Sequence, residues 1–434
     1  MKNYFRKNSP IVVIVILALI PIIRWFFLEP MSFRFFDLNS TTTSIGQITG
    51  ILGMMLFSIN LILSNRNRFF DRIFSGLHIF YNNHKWVGSI SFCLLLFHPL
   101  FLAVKYLSIS VHDAALFLIP SGNFAITLGI IALLGMIVLL VITLYFKIKY
   151  HVWRFSHKFM VAVFIFAVFH TMLISSDISR DMFLRYYIFI FAFIGLALGA
   201  YRALFRILFN DDFEFKIVGI NILNNNVTEI EMEPMKSVME FYPGQFIFIR
   251  FVGIGISSEP HPFSITSFKG EDNLKIVVKS LGDYTNEVKN LKLGTIAKIE
   301  GPFGSFLKNR DLTKKEIWIA GGVGITPFLS LARSLKDISN DIYLFYCLND
   351  LEDAVFLEEL KTLSLSNNKF HLVTWYSKEK GRINVDKIKE ITQNISNTSV
   401  YICGPISFMK SLRDQFINKG VDSTNIHFEE FNFL

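Results

Sequence analysis

Cysteine is scarce in this chain: three residues in 434, Cys93, Cys347 and Cys403. So few, and so scattered, they exclude a disulfide framework and any Cys-x-x-Cys site, and the soluble part of the chain reads as cytosolic. Charge is thin as well, at 18% of residues, with 43 basic against 35 acidic side chains. The resulting +8 does not point to nucleic acid, because the basic residues stand beside hydrophobic runs. No small-residue cleavage site follows the first of these runs, which continues to the polar Glu29-Pro30, so an uncleaved span is expected and not a secretion signal. A calcium loop and a proline-rich docking segment are also missing, so no obligate activator is expected.

What the chain has in quantity is apolar surface: 52% hydrophobic residues, 15% aromatic, and a mean hydropathy of +0.44. These residues concentrate before about residue 210, and six runs there approach the length a bilayer requires: 10 to 28, 45 to 63, 86 to 107, 123 to 146, 157 to 175 and 184 to 209. If the spans alternate, Lys2, Arg6, Lys7, Arg66, Arg68, Arg72, Lys85, Lys147, Lys149, Arg154, Lys158, Arg202 and Arg206 share one side. The other side holds chiefly Arg34, Lys105, Arg180 and Arg185. The positive-inside rule then predicts a multi-pass cell-membrane protein with its N-terminus and everything after the sixth span in the cytoplasm.

Two of these spans carry histidines at both ends, His84 and His98 on the third, His157 and His170 on the fifth. Ionisable groups inside a membrane are costly and mark ligand or ion pathways. Fourteen residues of helix separate the first pair by about 21 Å and return the second ring to within roughly 40° of the first. Thirteen separate the other pair by about 19.5 Å but leave it roughly 140° out of phase, so that helix must be irregular, with the opening turn around His157 the candidate place. Single histidines at helix ends can be packing or snorkelling residues; two pairs at matching height suit two stacked haems, an inner one at His84 and His157 and an outer one at His98 and His170. Cys93 reads as apolar filler, and His78, His112 and His151 as loop histidines.

After about Phe213 the pattern changes to short alternating runs such as Val227–Met232 and Leu274–Val278, which predict a small antiparallel β-barrel ending near Lys308. The last third opens on a strand, Glu316–Ala320, followed by Gly321-Gly-Val-Gly-Ile-Thr-Pro-Phe328. Glycines between a strand and a helix N-terminus admit a pyrophosphate, with Thr326 expected as the N-cap and Pro327 as the first helical residue. Strands at 342–347, 370–375 and 400–403 alternate with helices and predict a parallel α/β nucleotide-binding domain. The fold expected is therefore a multi-domain membrane protein: a six-helix transmembrane bundle (1–210), an antiparallel β-barrel domain (211–310) and a parallel α/β domain (311–434).

With these motifs the chain resembles prokaryotic members of the NADPH oxidase and ferric reductase superfamily over nearly its whole length. That family joins a six-helix, two-haem membrane domain to a module like ferredoxin-NADP reductase, and its ligand spacings of fourteen and thirteen are those of His84/His98 and His157/His170. The resemblance implies FAD, two b-type haems and NADPH or NADH as cofactors. It places His261, Pro262, Phe263 and Ser264 at the flavin, with Phe263 on the isoalloxazine and the Ser264 hydroxyl near N5. It assigns Lys279, Gly282 and Thr285 to the FAD pyrophosphate, and Gly322, Gly324, Thr326 and Pro327 to the dinucleotide turn. Arg382 falls near the adenine ribose, and Cys403, Gly404 and Pro405 beside the nicotinamide. Phe431, with Phe433 as the alternative, becomes the ring covering the flavin. Ser264, Cys403 and Phe431 are thus the expected catalytic residues.

Two departures from the family pattern bear on function. Relatives often place an arginine after the second nucleotide-domain strand, where this chain has Asn349 and Asp350, and Asp350 is expected to repel a 2′-phosphate. Eukaryotic oxidases place an arginine and a further histidine at the outer haem, where this chain has Leu102 and an arginine-free stretch at Thr43, Ser44, Gly46 and Gln47; Arg180 or Arg185 could compensate. The reading is a transmembrane oxidoreductase passing electrons from NAD(P)H to an outside acceptor, dioxygen first and a ferric chelate second. An electron-donating module for an outer-face partner protein, and a transporter or structural membrane protein with a regulatory flavin domain, are the alternatives.

Overall fold

The computed structural model describes residues 2–64, 77–146, 150–201, 213–253, 256, 259–308, 310–335 and 338–429. They fall into two compact units, one helical and built within residues 5–210, the other drawn mostly from residues 211–434.

The helical unit contains α1 (Lys2–Phe26), α2 (Met31–Arg34), α3 (Leu38–Leu63), α4 (Leu77–Leu107), α5 (Val111–Phe117), α6 (Phe124–Tyr145), α7 (Tyr150–His157), α8 (Met160–Leu173), α9 (Asp177–Arg180) and α10 (Met182–Ala200). Among the described residues five stretches are long and apolar enough to cross a membrane: Leu38–Leu63, Asn82–Leu107, Phe124–Tyr145, Val152–Leu173 and Met182–Ala200. The first of the six expected spans is a shorter apolar helix, Ile11–Phe26. α3 begins seven residues before its apolar run was expected to, because Asp37 and Ser40 form a capping box that satisfies the free amides at its start. Apolar side chains such as Ile190, Phe193, Val138 and Leu134 remain exposed, as they must on a lipid-facing surface. The interior is packed around Met55, Phe57, Phe164, Leu184 and Ile188.

The second unit opens with β1 (Phe213–Asn224), β2 (Val227–Pro234), β3 (Phe246–Val252), β4 (His261–Ser264), β5 (Leu274–Lys279), the short helix α11 (Asp283–Glu287) and β6 (Ile296–Phe303). The six strands pair antiparallel in the order β4-β3-β6-β1-β2-β5. Ile265 bridges Ile276, so the two ends of this order also touch. Inward residues alternate along β6 as the period of two requires.

There follow β7 (Lys315–Gly321), α12 (Thr326–Ala332), β8 (Ile342–Leu348), α13 (Leu357–Ser366), β9 (Phe370–Tyr376), α14 (Ser377–Lys380), α15 (Val385–Thr392), β10 (Thr398–Cys403), α16 (Ile406–Asn418) and β11 (Ile426–Glu429). All five strands are parallel, in the order β11-β10-β7-β8-β9. Strand order reverses between β7 and β10, and ligands of open α/β sheets bind outside the strand C-termini at such a switch point. Arg333 ties the two sheets together, donating to the Thr266 carbonyl at 2.7 Å and to Glu359 at 2.6 and 2.9 Å.

Candidate functional site

Both membrane histidine pairs face each other across the helical unit. The ring centroids of His84 and His157 are 6.2 Å apart, and those of His98 and His170 are 6.4 Å apart. Two imidazoles bonded from opposite sides to one metal ion at about 2.0 Å each have centroids roughly 6 Å apart, so both gaps fit a single iron. The phase conflict on the fifth span is resolved where it was expected. α7 ends at His157, and Lys158 and Phe159 form a turn whose amides reach back three residues instead of four, before α8 begins at Met160. That tightening re-aims the histidines of one span toward their two partners on the other.

The far side of each ring decides whether it can act as a ligand. His98 Nδ1 lies 2.6 Å from the Gly46 carbonyl, His170 Nδ1 2.8 Å from that of Ala125, and His84 Nδ1 3.1 Å from that of Asn60. A carbonyl only accepts, so each Nδ1 must donate, which leaves the Nε2 lone pair for a metal. Trp153 stacks on His157 at 5.5 Å. Cys93 stands on α4 between His84 and His98, and among the described residues no cluster of three or more His, Cys, Asp or Glu could hold an ion.

Near His98 the structure departs from the expectation that arginine is missing. Arg34, on α2, is buried against the start of α3: its guanidinium donates to Gln47 at 3.3 Å, to Asp177 at 3.0 Å and to the Trp25 carbonyl at 3.2 Å, and lies 3.6 Å over the Trp25 ring. Gln47 adjoins Gly46, the partner of His98. A cavity of about 430 Å³ opens here, lined by Arg34, Gln47, Asp177, Glu29, Lys105 and Arg180 among others. Lys105 follows His98 by seven residues on one helix face, about 10 Å further along the axis. Neither Lys105 nor Arg180 has a carboxylate partner among the described residues. A long-range partner of this kind is invisible to spacing rules, which is why Arg34 was not a candidate.

In the second unit the expected flavin residues sit on adjoining elements. His261, Pro262, Phe263 and Ser264 form β4 beside β3, with Ser264 buried and His261 stacked on Tyr284 at 3.7 Å. Lys279 ends β5, while Gly282 caps α11; the Thr285 hydroxyl accepts from the Leu281 and Gly282 amides at 2.8 and 3.0 Å. The dinucleotide turn differs by one residue from expectation. Gly322–Ile325 already form a 3-10 turn, so Thr326 is the first residue of α12, Pro327 the second, and Ile325 the cap; the Thr326 hydroxyl donates to the Val323 carbonyl at 3.0 Å. Gly322 has φ +57, and a Cβ on Gly324 would collide with the Cys403 carbonyl oxygen. The Gly324 turn and Cys403-Gly404-Pro405 are thereby packed backbone to backbone at the switch point.

Glu429, absent from the expected site, is paired in register with Cys403 at the end of β11 and lies buried against Gly304. Only the sheet order brings it there. Burial, and secondarily Glu429, pushes the Cys403 thiol well above its ordinary value. Arg382 is exposed in the turn after β9. Asp350 does not stand as a free repelling charge: Lys378 donates to it at 2.5 Å and holds its carboxyl below the usual range. Phe431 and Phe433 lie outside the described residues, as do Arg66, Arg68, Arg72, Lys147, Lys149, Arg202 and Arg206.

Residues 49–168 match the ferric reductase like transmembrane component family, and residues 212–409 match the FAD-binding domain family. The chain has the architecture of the NADPH oxidase and ferric reductase superfamily. In that architecture a ferric reductase-like transmembrane match precedes an FAD-binding domain match. The module is similar to Flavohemoprotein A of Dictyostelium discoideum, 27% identical over 231 residues that cover 49% of this chain and 58% of the relative. It is also similar to the Flavohemoprotein of Candida norvegensis, 28% identical over 227 residues, covering 50% and 57%. The chain thus spans little more than half the length of these curated relatives. In fold it resembles the flavohemoglobin of Malassezia yamatoensis, solved with FAD and heme, at 18% identity and a TM-score of 0.51 over 91% of this chain and 100% of that one.

Proposed function

We propose that the protein carries electrons from cytosolic NAD(P)H across a membrane to an acceptor on the far side. The observation that supports this most is the pair of facing histidine sets, each with a gap that fits one iron and three of the four rings anchored as Nδ1 donors. His84 and His157 would hold an inner b-type haem, His98 and His170 an outer one. In this reading Ile11–Phe26 completes six spans, the N-terminus and residues 211–434 are cytoplasmic, and the six-stranded sheet is the FAD barrel (211–310) ahead of the NAD(P) domain (311–434).

FAD held there would supply the conversion of a two-electron hydride to single electrons, and haems held by the histidines would supply one-electron transfer through the bilayer. The chain supplies position. Phe263 packs on the flavin and Ser264 presents its hydroxyl near N5, flanked by His261 and Pro262. Lys279, Gly282 and Thr285 face the pyrophosphate of FAD, while Gly322, Gly324, Thr326 and Pro327 receive that of the nicotinamide dinucleotide. Cys403, Gly404 and Pro405 would border the nicotinamide as neutral packing, Arg382 would lie toward the adenosine, and Phe431 would be the ring that covers the flavin until nicotinamide displaces it.

His98 and His170 would both be engaged in holding an outer haem, so an acceptor would have to receive its electron without bonding to the metal. Dioxygen, giving superoxide, is the first reading. The outer cavity supports a second, because Lys105 and Arg180 suit an anionic ferric chelate. The test is an absorption difference spectrum of the purified protein with FAD, before and after NADPH: two reduced low-spin haems are expected, and a protein without haem bands would end this reading in favour of a transporter or structural role.

A further inference from the structure

The carbonyl used by each outer histidine already belongs to a helical hydrogen bond. In an α-helix the carbonyl of residue i accepts the amide of residue i+4. Gly46, the partner of His98, is therefore shared with the amide of residue 50, and Ala125, the partner of His170, with that of residue 129. Both of those residues are glycines. A Cβ on Gly50 would stand 2.6 Å from Nδ1 and 2.7 Å from Cε1 of His98. One on Gly129 would stand 2.7 and 2.9 Å from the same atoms of His170. Each outer imidazole thus occupies the space in which the side chain one turn along would lie. The device occurs twice, on different helices, with the same offset of four. His84 shows the contrast: its carbonyl, Asn60, lies at the end of α3 and is shared with the amide of Ser64, the capping residue, where the chain leaves the helix and needs no glycine.

We propose that Gly50 and Gly129 are positioning residues for the outer metal site: each opens a notch through which a ligand histidine reaches a helix carbonyl, and the carbonyl sets both tautomer and ring orientation. This rests on His98 and His170 being axial ligands. Glycine is a poorer helix former than alanine, so helix stability does not account for it at either mid-span position. A methyl group at 50 or 129 would push the ring off its carbonyl, removing the donor bond from Nδ1 and tilting Nε2 away from the iron. Lost support behind a metal-bound histidine weakens metal affinity about 10- to 100-fold.

The experiment compares Gly50→Ala, Gly129→Ala and, as a control, Gly199→Ala, whose Cβ would sit 3.4 Å from Val161 in ordinary contact. Haem per polypeptide and low-spin EPR spectra are read on each purified protein, the outer signal being the one that His98→Leu removes. The expected result is a weakened or shifted outer signal in both test variants, an intact inner signal, and two normal signals in the control. Unchanged outer spectra in Gly50→Ala and Gly129→Ala would overturn the proposal, as would joint loss of both haems there, which would mark general packing. A wild-type protein without low-spin haem would overturn the ligand reading itself.

Discussion

A leucine at position 98 keeps the apolar volume of the span but offers no nitrogen, so His98→Leu should remove the outer haem, leave the inner one, spare flavin reduction by NADPH and stop electron delivery to the outside. Haem content and stopped-flow flavin spectra check this; two retained low-spin haems with full turnover would refute the assignment. The thiols carry a different expectation. Burial pushes Cys347 up to about 12 and Cys403 well above its ordinary value, so at pH 8 both are protonated. Iodoacetamide, which needs a thiolate, should leave both unmodified in the folded protein and label them after denaturation, as peptide mass spectrometry would show. Lys378 alters the expected choice of dinucleotide. With Asp350 engaged by Lys378 and Arg382 exposed, NADPH should be used with a modest preference over NADH. Lys378→Ala should lower the NADPH to NADH ratio of kcat/KM severalfold, and Asp350→Asn should raise it. A wild-type preference of a thousandfold would contradict this account.

Among the elements, the turn at Lys158-Phe159 matters most, because it sets the relative azimuth of His157 and His170. One alanine inserted between Phe159 and Met160 would rotate everything after it by about 100° and advance it by about 1.5 Å. His170 should then miss His98 while His84 and His157 keep their gap, so the outer haem should vanish and the inner remain; EPR spectra retaining both would show that the turn does not set the phase. At the start of α3, by contrast, the capping box at Asp37 and Ser40 lengthens the helix, and that extension carries Ser44, whose hydroxyl donates to the Arg34 carbonyl at 2.9 Å.

For the molecule as a whole the open matter is the acceptor, and Arg34, Lys105 and Arg180 frame it. Arg34 is already balanced by Asp177 at 3.0 Å, with Glu29 at 4.0 Å, whereas Lys105 and Arg180 face the cavity without acidic partners among the described residues. In proteoliposomes with NADPH and FAD inside, cytochrome c reduction should be inhibited by superoxide dismutase. Insensitivity to the dismutase, together with rapid ferric-chelate reduction under nitrogen, would replace the oxidase reading with the ferric reductase one. Lys105→Glu should then slow chelate reduction far more than oxygen consumption.

Local periodicity was enough to read the apolar spans, the two histidine spacings, the strand-glycine-helix turn and the change from membrane to soluble composition, because hydrophobic pattern, turn residues and helical rise act over a few residues. The irregularity near His157 was legible for the same reason, since thirteen residues of ideal helix cannot return to phase. Arg34 beside Gln47, Glu429 beside Cys403, Lys378 on Asp350 and the glycine notches at Gly50 and Gly129 were not legible. Each depends on which surfaces of distant segments meet. That pairing follows from packing the whole chain, in which a carbonyl, a carboxylate or an empty Cβ position acquires its meaning from a neighbour dozens of residues away.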